Sequence, residues 1–257
     1  MTAHIAKYGL HACCACLAVL LLAGAARALP AYDEVRGGWR SSETLLLDRQ
    51  DRPLQELRTD PTVRRLAWVP LGEVSPALAE AVVGAEDRRF YEHGGIDWLA
   101  LGAAAVKGLP RWSFRGASTI PMQLAAMLDP ALRAGDGGRS MLQKWRQLLA
   151  ALEIDGRWRK AEMLEAYLNL VYFRGELQGV GAACRALFGK APHGVDAAEA
   201  LVLAALVRAP NADPGRVSER ALGLRAALGI AADDEDIRRA AMRAGAGPQA
   251  WSGRADI

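Results

Sequence analysis

An apolar segment at the N-terminus divides the chain into two parts with different requirements. It runs from about Gly9 to Ala26, with Lys7 before it and Arg27 after it. This length is close to the minimum of about 17 residues for a helix that spans a bilayer. The sequence Ala26-Arg27-Ala28 is also typical of the end of a cleaved signal peptide. Under either interpretation the rest of the chain is exported, and no later stretch is long and apolar enough to span a membrane.

The composition excludes several classes of protein. Of the 257 residues, 51% are hydrophobic, which is too high a fraction for intrinsic disorder. The net charge of +3, from 32 basic and 29 acidic residues, is too small to indicate a nucleic-acid partner. Cys184 is the one cysteine outside the apolar segment and cannot form an internal disulfide. The cluster Cys13-Cys14-x-Cys16 lacks the second pair of a zinc framework.

The body of the chain is predicted to be mainly α-helical. Ser75 as N-cap and Pro76 at the first helical position begin a helix that carries Glu86 at its C-terminal end. Asp196 and Glu199 form a capping box that opens an Ala/Leu-rich helix. Other helices are predicted at about 98–105, 123–128, 140–154, 160–171 and 181–187, with one or two weaker ones in 211–257. A strand, a turn and a returning strand are predicted at 44–54.

Two adjacent carboxylates, Glu86 and Asp87, form the first candidate site. They lie at a helix end near an apolar face, where a carboxylate can serve as a general base with a raised pKa. The alternative interpretation is a solvated helix terminus. His93 follows them closely in the sequence. An isolated histidine is more often structural than catalytic.

A short polar stretch, Ser118, Thr119 and Gln123, forms the second candidate site. Small and hydroxyl-bearing residues ahead of a helix leave backbone N–H groups available for an anion or a sugar. The same residues would also make an ordinary capped helix start. Glu165 and Asn169 form a third, because with Glu162 they fall on one helical face at i, i+3 and i+7. Such a face lines a cleft or is the solvent side of an amphipathic helix.

A basic window covers residues 107–160. It contains ten Lys or Arg and four Asp or Glu, so its net charge of +6 exceeds that of the whole chain. This concentration suits a phosphorylated substrate or an anionic lipid surface. Arg139, Lys144 and Arg146 lie within it. A solvated basic face is the alternative.

In their order along the chain, these motifs resemble glycosyltransferase family 51, the peptidoglycan glycosyltransferase domain of class A penicillin-binding proteins and of monofunctional transglycosylases. The resemblance covers roughly residues 75–215, and the stretch from Leu29 to Trp68 is most similar to the C-type bifunctional proteins. The matching motifs are Glu86-Asp87-x-x-Phe90-x-x-His93-x-Gly95-x-Asp97, Gly116-Ala117-Ser118-Thr119-Ile120-x-x-Gln123-Leu124, Lys160-x-x-Met163-Leu164-Glu165-x-Tyr167-Leu168-Asn169, Gly181-Ala182-Ala183 through Phe188-Gly189-Lys190, and Glu199-Ala200 through Ala209-Pro210.

The resemblance implies a mainly α, lysozyme-like fold of two lobes around a cleft, with the smaller lobe against a membrane. It divides the chain into a signal or anchor at 1–28, a membrane-proximal segment at 29–74, a glycosyltransferase domain at 75–215 and a helical extension and tail at 216–257. The implied reaction joins lipid II into glycan strands by inverting transfer to its 4-hydroxyl, with release of undecaprenyl diphosphate.

The resemblance also assigns roles to individual residues. Glu86 would be the general base, Asp87 would tune or hold it, and Gln147 occupies the position of a second family carboxylate. Lys144, with Arg139 or Arg146, would stabilise the departing diphosphate. The implied substrate-binding residues are His93, Ser118, Thr119, Gln123, Arg139, Lys144, Arg146, Glu165 and Asn169.

Two departures from the family pattern bear on activity. The family usually has Arg-Lys-x-x-Glu where this chain has Gln143-Lys144-Trp145-Arg146-Gln147, and Ala126 stands where many members have a basic residue. We expect slow but real activity, and we expect that Gln147→Glu would not lower it. No Ser-x-x-Lys or Lys-Thr-Gly motif occurs, which excludes penicillin-reactive serine chemistry in this sequence. The chain is therefore a monofunctional enzyme or a truncated relative of a bifunctional one.

The expected partners are lipid II, the growing glycan strand, the membrane, and a transpeptidase or other cell-wall enzymes, without nucleic acid. The expected location is the bacterial inner membrane, crossed once, with the catalytic domain in the periplasm. No cofactor is expected to be obligatory, and a magnesium or manganese ion stays open. Two rival functions are a catalytically weak scaffold that binds lipid II and a wall-cleaving lytic transglycosylase. The basic window and the membrane segment count against the lytic enzyme.

Overall fold

The computed structural model describes residues 28–50, 52–108, 118–133 and 140–246. The predicted membrane segment, Arg139 and the Gly-rich tail lie outside these ranges. Within them, no helix combines the length and the apolar character needed to cross a bilayer.

Helices dominate this part of the chain, as the sequence predicts. They are α1 (Tyr32–Gly38), α2 (Pro76–Glu86), α3 (Trp98–Gly108), α4 (Ile120–Leu128), α5 (Met141–Arg157), α6 (Lys160–Leu170), α7 (Val180–Phe188), α8 (Ala197–Arg208), α9 (Pro214–Leu228) and α10 (Asp234–Gly245). Two antiparallel pairs accompany them, β1 (Glu43–Leu47) with β2 (Pro53–Arg58) and β3 (Tyr172–Arg174) with β4 (Leu177–Gln178). The predicted hairpin and all the predicted helices are confirmed, with ends displaced by a few residues.

Local sequence explains where the helices begin and end. Ser140 caps α5 and exchanges hydrogen bonds with Gln143, and Asp196 does the same with Glu199 at the start of α8. Asp233 accepts two backbone N–H groups at the start of α10. Gly189 ends α7 in the left-handed conformation, which glycine adopts without steric cost.

Helix α8 is the centre of the main hydrophobic core. It packs against α2, α9 and α10, and its residues from Ala198 to Leu206 are buried on all sides. A helix that is apolar all round is expected to be internal. At its first turn the fully buried Glu199 carboxylate accepts hydrogen bonds from Lys190 Nζ at 2.8 Å and Arg243 Nη2 at 2.9 Å. These two partners join α7 and α10 to α8 and compensate the buried charge.

The main core extends across both of the domain boundaries predicted at 75 and 215. Leu29 and Val69 are buried in it at one end, and Ile237 and Ala244 at the other. The C-terminal helices, predicted to be weak, contribute to this core. A second and smaller cluster joins Ile96, Met122, Leu148 and Ala151, between α4 and α5.

Two buried polar residues of α6 attach the N-terminal segment to this body. The Glu165 carboxylate accepts hydrogen bonds from Trp68 Nε1 at 2.6 Å, from the Leu71 N–H at 2.8 Å and from the Tyr32 hydroxyl. The Asn169 side chain pairs with both backbone groups of Val69, each at 2.9 Å. Burial would raise the pKa of Glu165, but the three hydrogen bonds outweigh it and hold the pKa below its ordinary value.

We predict that Glu165→Gln lowers the free energy of unfolding by roughly 2 kcal/mol, because an NH2 group then replaces one of the two carboxylate oxygens and faces a buried donor. The lowered pKa means that the ionised carboxylate stabilises the folded state above the unfolded-state pKa of about 4.3. This contribution is lost as pH falls through the lower folded-state pKa. Urea unfolding at neutral and acidic pH tests this, with the exposed Glu235→Gln as control. If the difference in unfolding free energy between wild type and Glu165→Gln does not become smaller at acidic pH, the prediction is wrong.

Candidate active site

Glu86, the last residue of α2, lies at the centre of the candidate site. One of its carboxylate oxygens, Oε2, accepts a hydrogen bond from Gln123 Nε2 at 2.9 Å. Gln123 Oε1 in turn accepts from the Tyr167 hydroxyl at 3.0 Å. The other oxygen, Glu86 Oε1, is enclosed and has no hydrogen-bond partner among the described residues. A buried acceptor without a donor is uncommon in a native protein, so it indicates a position for a ligand or a water.

Tyr167 fixes the direction of this hydrogen-bond chain. Burial, reinforced by the nearby Glu86 carboxylate, raises the pKa of the Tyr167 phenol well above its ordinary value. The phenol therefore keeps its proton at neutral pH and donates to Gln123. With its oxygen occupied, the Gln123 amide presents its N–H to Glu86. The sequence did not single out Tyr167 as a site residue. Its place on the apolar face of α6 could have indicated its role, because the hydroxyl of a buried tyrosine usually has a hydrogen-bond partner.

Asp87 holds the surroundings of Glu86 in place. His93 Nε2 lies 2.9 Å and 3.0 Å from its two carboxylate oxygens, and the Ile120 N–H donates to Oδ2 at 2.9 Å. Asp87 thus joins the end of α2, the following loop and the first residue of α4. His93 is almost fully buried in this arrangement, with Lys160 Nζ donating to its carbonyl at 2.7 Å. The geometry favours a positioning role for His93 over the predicted contact with substrate.

The second candidate stretch is partly occupied by internal contacts. Thr119 caps α4, and its hydroxyl donates to the Gly95 carbonyl at 2.7 Å. Gly95 has φ +75°, and a side chain there would approach the Ala151 carbonyl oxygen to 2.7 Å, so the close contact requires glycine. Of the predicted sugar- or phosphate-binding residues, Thr119 and Gln123 therefore use their side chains within the protein. Ser118 is half-buried just ahead of them.

Gln147 lies on α5 and contacts α4. It is 1% exposed, and its Nε2 donates to the Met122 carbonyl at 2.6 Å. Its Oε1 is enclosed without a partner in the described part of the chain. The structure thus brings Glu86, Asp87 and Gln147 to three places around the first turns of α4.

The basic window is partly neutralised by local ion pairs. Arg157 pairs with Glu153 at 3.0 Å, and Lys160 pairs with Asp155 at 2.7 Å. Lys144 and Arg146 are half-buried on α5, in the turn before Gln147. Both lie within one turn of Gln147 along α5, and their contact with a diphosphate stays a prediction.

Glu165 and Asn169 lie on a different face of α6 from Tyr167, which contacts Gln123. Their polar atoms are taken up by Tyr32, Trp68 and the backbone of Val69 and Leu71, as described above. The geometry favours a structural role for both residues over the predicted lining of the substrate cleft. The two residues share one helical face as predicted, and the N-terminal segment that covers this face was not predicted.

Comparison with known proteins now identifies the family. The family model described as Transglycosylase matches residues 50–228, which include every described residue of the site. The chain belongs to this transglycosylase family. The match also includes the β1–β2 hairpin tip and α9, in keeping with the continuous core.

Named relatives of the transglycosylase family are of two kinds. The chain is 39% identical over 159 residues to penicillin-binding protein 1C of Escherichia coli, covering 61% of this chain and 20% of that protein. It is 41% identical over 146 residues to the biosynthetic peptidoglycan transglycosylase of Rhodospirillum centenum, covering 56% and 60%. The similarly named protein of Agrobacterium fabrum is 37% identical over 163 residues, covering 61% and 69%. The chain therefore spans a fifth of the length of the first relative and three fifths of the second.

The carboxylates of this transglycosylase site do not fit a metal ion well. Both oxygens of Asp87 face protein donors, Glu86 has one oxygen without a partner, and position 147 carries a neutral amide. Elsewhere in the described ranges no group of three or more potential metal ligands occurs. We derive no step that passes through a metal.

We predict that Asp87→Asn lowers the free energy of unfolding by roughly 2 kcal/mol, because the negative charge and one of the two acceptor oxygens that meet His93 and Ile120 are lost. Thermal or urea unfolding measures the change. Glu92→Gln, which alters only a largely exposed ion pair with Arg89, should stay within about 0.5 kcal/mol of wild type. Equal stability of Asp87→Asn and wild type would show that Asp87 does not anchor α4.

Proposed function

We propose that the protein is a peptidoglycan glycosyltransferase. It joins lipid II into glycan strands by inverting glycosyl transfer, releases undecaprenyl diphosphate and has no transpeptidase activity. The observation that carries this proposal is the Glu86 carboxylate, with one oxygen oriented by Gln123 and the other enclosed without a partner. Membership of the transglycosylase family and the names of the peptidoglycan transglycosylases among its relatives support the substrate class.

In the proposed reaction, Glu86 acts as the general base. Its unpartnered oxygen accepts the proton of the 4-hydroxyl of an incoming lipid II, and the hydroxyl oxygen forms a bond to the anomeric carbon of the lipid-linked strand. The bond from that carbon to the diphosphate breaks on the opposite side, which inverts the configuration. A hydroxyl is a poor nucleophile at neutral pH, and a positioned base typically accelerates such a step by about a hundredfold or more.

The leaving group needs positive charge rather than a proton, because a diphosphate departs as a stable anion. Lys144 and Arg146 supply this charge in the proposed complex, and Arg139 is a further candidate that lies outside the described residues. Ser118, just ahead of α4, binds a sugar or phosphate oxygen beside them. We expect no obligatory cofactor.

The proposal extends to a lysozyme-like arrangement of two lobes. The small cluster of Ile96, Met122, Leu148 and Ala151 supports it as the core of a smaller lobe, separate from the core around α8. In this arrangement the cleft would run between the two clusters.

We also propose that the smaller lobe rests on the membrane. The outer side of α5 exposes a row of large apolar residues, and α3 begins with two more. An exposed apolar row of this size is expected at a lipid or protein interface. The residues are Met141, Leu142, Trp145, Leu149 and Leu152 on α5, and Trp98 and Leu99 on α3. Together with the predicted segment at 9–26, this row supports a location on the periplasmic side of the inner membrane, close to transpeptidases and other wall enzymes.

A scaffold that binds lipid II is the second candidate function. The observation that favours it is the neutral Gln147 at the position of a family carboxylate. A scaffold would retain its cellular role when Glu86 is replaced.

We predict that the full chain in detergent polymerises labelled lipid II and that Glu86→Gln lowers the rate by about a hundredfold or more, because an amide cannot accept the proton. Electrophoresis of the glycan measures the product. Glu235→Gln, an exposed change on α10, is the control and should polymerise at the wild-type rate. Binding of lipid II without glycan from the wild type would favour the scaffold instead.

We predict that the fluorescence of Trp98 and Trp145 is quenched when the full chain is placed in vesicles with brominated acyl chains. The two side chains are 61% and 59% exposed, so they are available to enter the lipid. The double variant Trp98→Phe/Trp145→Phe should lose most of the quenching. Trp39→Phe is the control, since Trp39 packs edge-on against Trp68 and donates to the Leu66 carbonyl. Equal quenching in wild type and double variant would argue against the membrane contact.

A further inference from the structure

The Gln147 side chain is held in one orientation by a single short contact. Its Nε2 is 2.6 Å from the Met122 carbonyl oxygen, and the residue is 1% exposed. The reverse orientation would place the amide oxygen against that carbonyl oxygen. That orientation would lose the hydrogen bond and set two acceptor oxygens in contact, which is costly at a buried position. The position therefore requires a hydrogen-bond donor.

The contact acts on the helix that orients Glu86. Met122 is followed by Gln123, whose amide donates to Glu86 at 2.9 Å. The start of α4 is also held by Asp87, through the Ile120 N–H. Gln147 supplies the corresponding contact from the side of α5, about one turn further along α4. Without it, the turn that carries Gln123 would be free to shift relative to Glu86.

We propose that Gln147 is a positioning residue. Its amide N–H holds the first turns of α4 so that Gln123 orients the Glu86 carboxylate, and a carboxylate at position 147 would disrupt this arrangement. The inference rests on the proposed function, in which Glu86 is the base. It reverses the expectation from the sequence that Gln147→Glu would leave activity intact. It also explains how the proposed site would function with a neutral residue at position 147, where the family usually has a carboxylate.

The chemistry of a glutamate at this position gives the proposal a pH signature. An ionised carboxylate cannot donate to the Met122 carbonyl, whereas a protonated carboxyl group can. Burial and the facing carbonyl oxygen both raise the pKa of such a group. The protonated form would therefore restore the contact as pH falls, while a methionine, which has no donor at any pH, would not.

The experiment compares wild type, Gln147→Glu and Gln147→Met as full chains in detergent, with kcat and KM for lipid II measured from about pH 5 to pH 8. At neutral pH both variants should lose kcat by on the order of tenfold to a hundredfold with little change in KM, as expected for a misplaced base. The ratio of Gln147→Glu to wild-type kcat should rise toward acid pH, and that of Gln147→Met should stay low. A Gln147→Glu kcat at or above wild type at neutral pH, or a ratio independent of pH, would overturn the proposal.

Gln178→Glu is the matched control. Gln178 also donates to a backbone carbonyl, that of Leu170 at 3.0 Å, but it lies on β4, away from α4. Its replacement should lower the unfolding temperature and leave kcat unchanged within about twofold, which separates general loss of stability from misplacement of the base. An equal loss of kcat in Gln178→Glu would count against positioning.

A second measurement separates this proposal from the proposed function. The unfolding temperature of Gln147→Glu relative to wild type should fall as pH rises, because a carboxyl group with a raised folded-state pKa stabilises the fold only while it is protonated. If wild type makes no glycan at any pH, the glycosyltransferase proposal fails, and this dependence still tests the need for a donor. If the unfolding temperature of Gln147→Glu does not depend on pH in this way, position 147 does not need a hydrogen-bond donor, whether or not the protein makes glycan.

Discussion

The hydrogen bond from the Ile120 N–H to Asp87 is the contact on which the rest of the site depends. It fixes the first residue of α4 to the residue that follows Glu86, so Glu86 and the helix that orients its carboxylate share one anchor. Thr119 adds a bond to the loop after α2, and Gln147 adds one from α5. All of these groups are buried, where an unmade hydrogen bond is expensive. The site is therefore rigid because its backbone carbonyls and N–H groups are satisfied by side chains from other elements.

Helix α6 connects this site to the N-terminal segment through its two faces. Tyr167 lies on one face and directs Gln123 toward Glu86. Glu165 and Asn169 lie on another and hold the backbone around Val69 and Leu71. One sequence motif thus contacts two parts of the molecule, the candidate site through Tyr167 and the N-terminal segment through Glu165 and Asn169. The segment before α2 is attached to the same helix that contacts Gln123.

The sequence predicted the helices and the hairpin because their signals are local. Helix caps such as Asp196, and apolar residues that recur every 3.6 positions, depend only on residues close to one another in the sequence. The pairing of Glu86 with Asp87 at a helix end, and their resemblance to a known family, also predicted the two carboxylates around which the candidate site is described. What the sequence could not give was the partner of each polar group. Glu165 meets donors 94 to 133 residues away, and Gln147 meets the carbonyl of Met122, and neither contact has a local signal.

Helix α5 has Gln147 on its inner side and Trp145 and Leu149 on its outer side. An α-helix with its side chains is about 10 Å across, so the two sides of one rigid element are separated by that thickness. Under the proposed membrane contact, α5 is a spacer of fixed width between the lipid surface and the reacting sugars. The glycosidic bond would then form at one constant height above the bilayer.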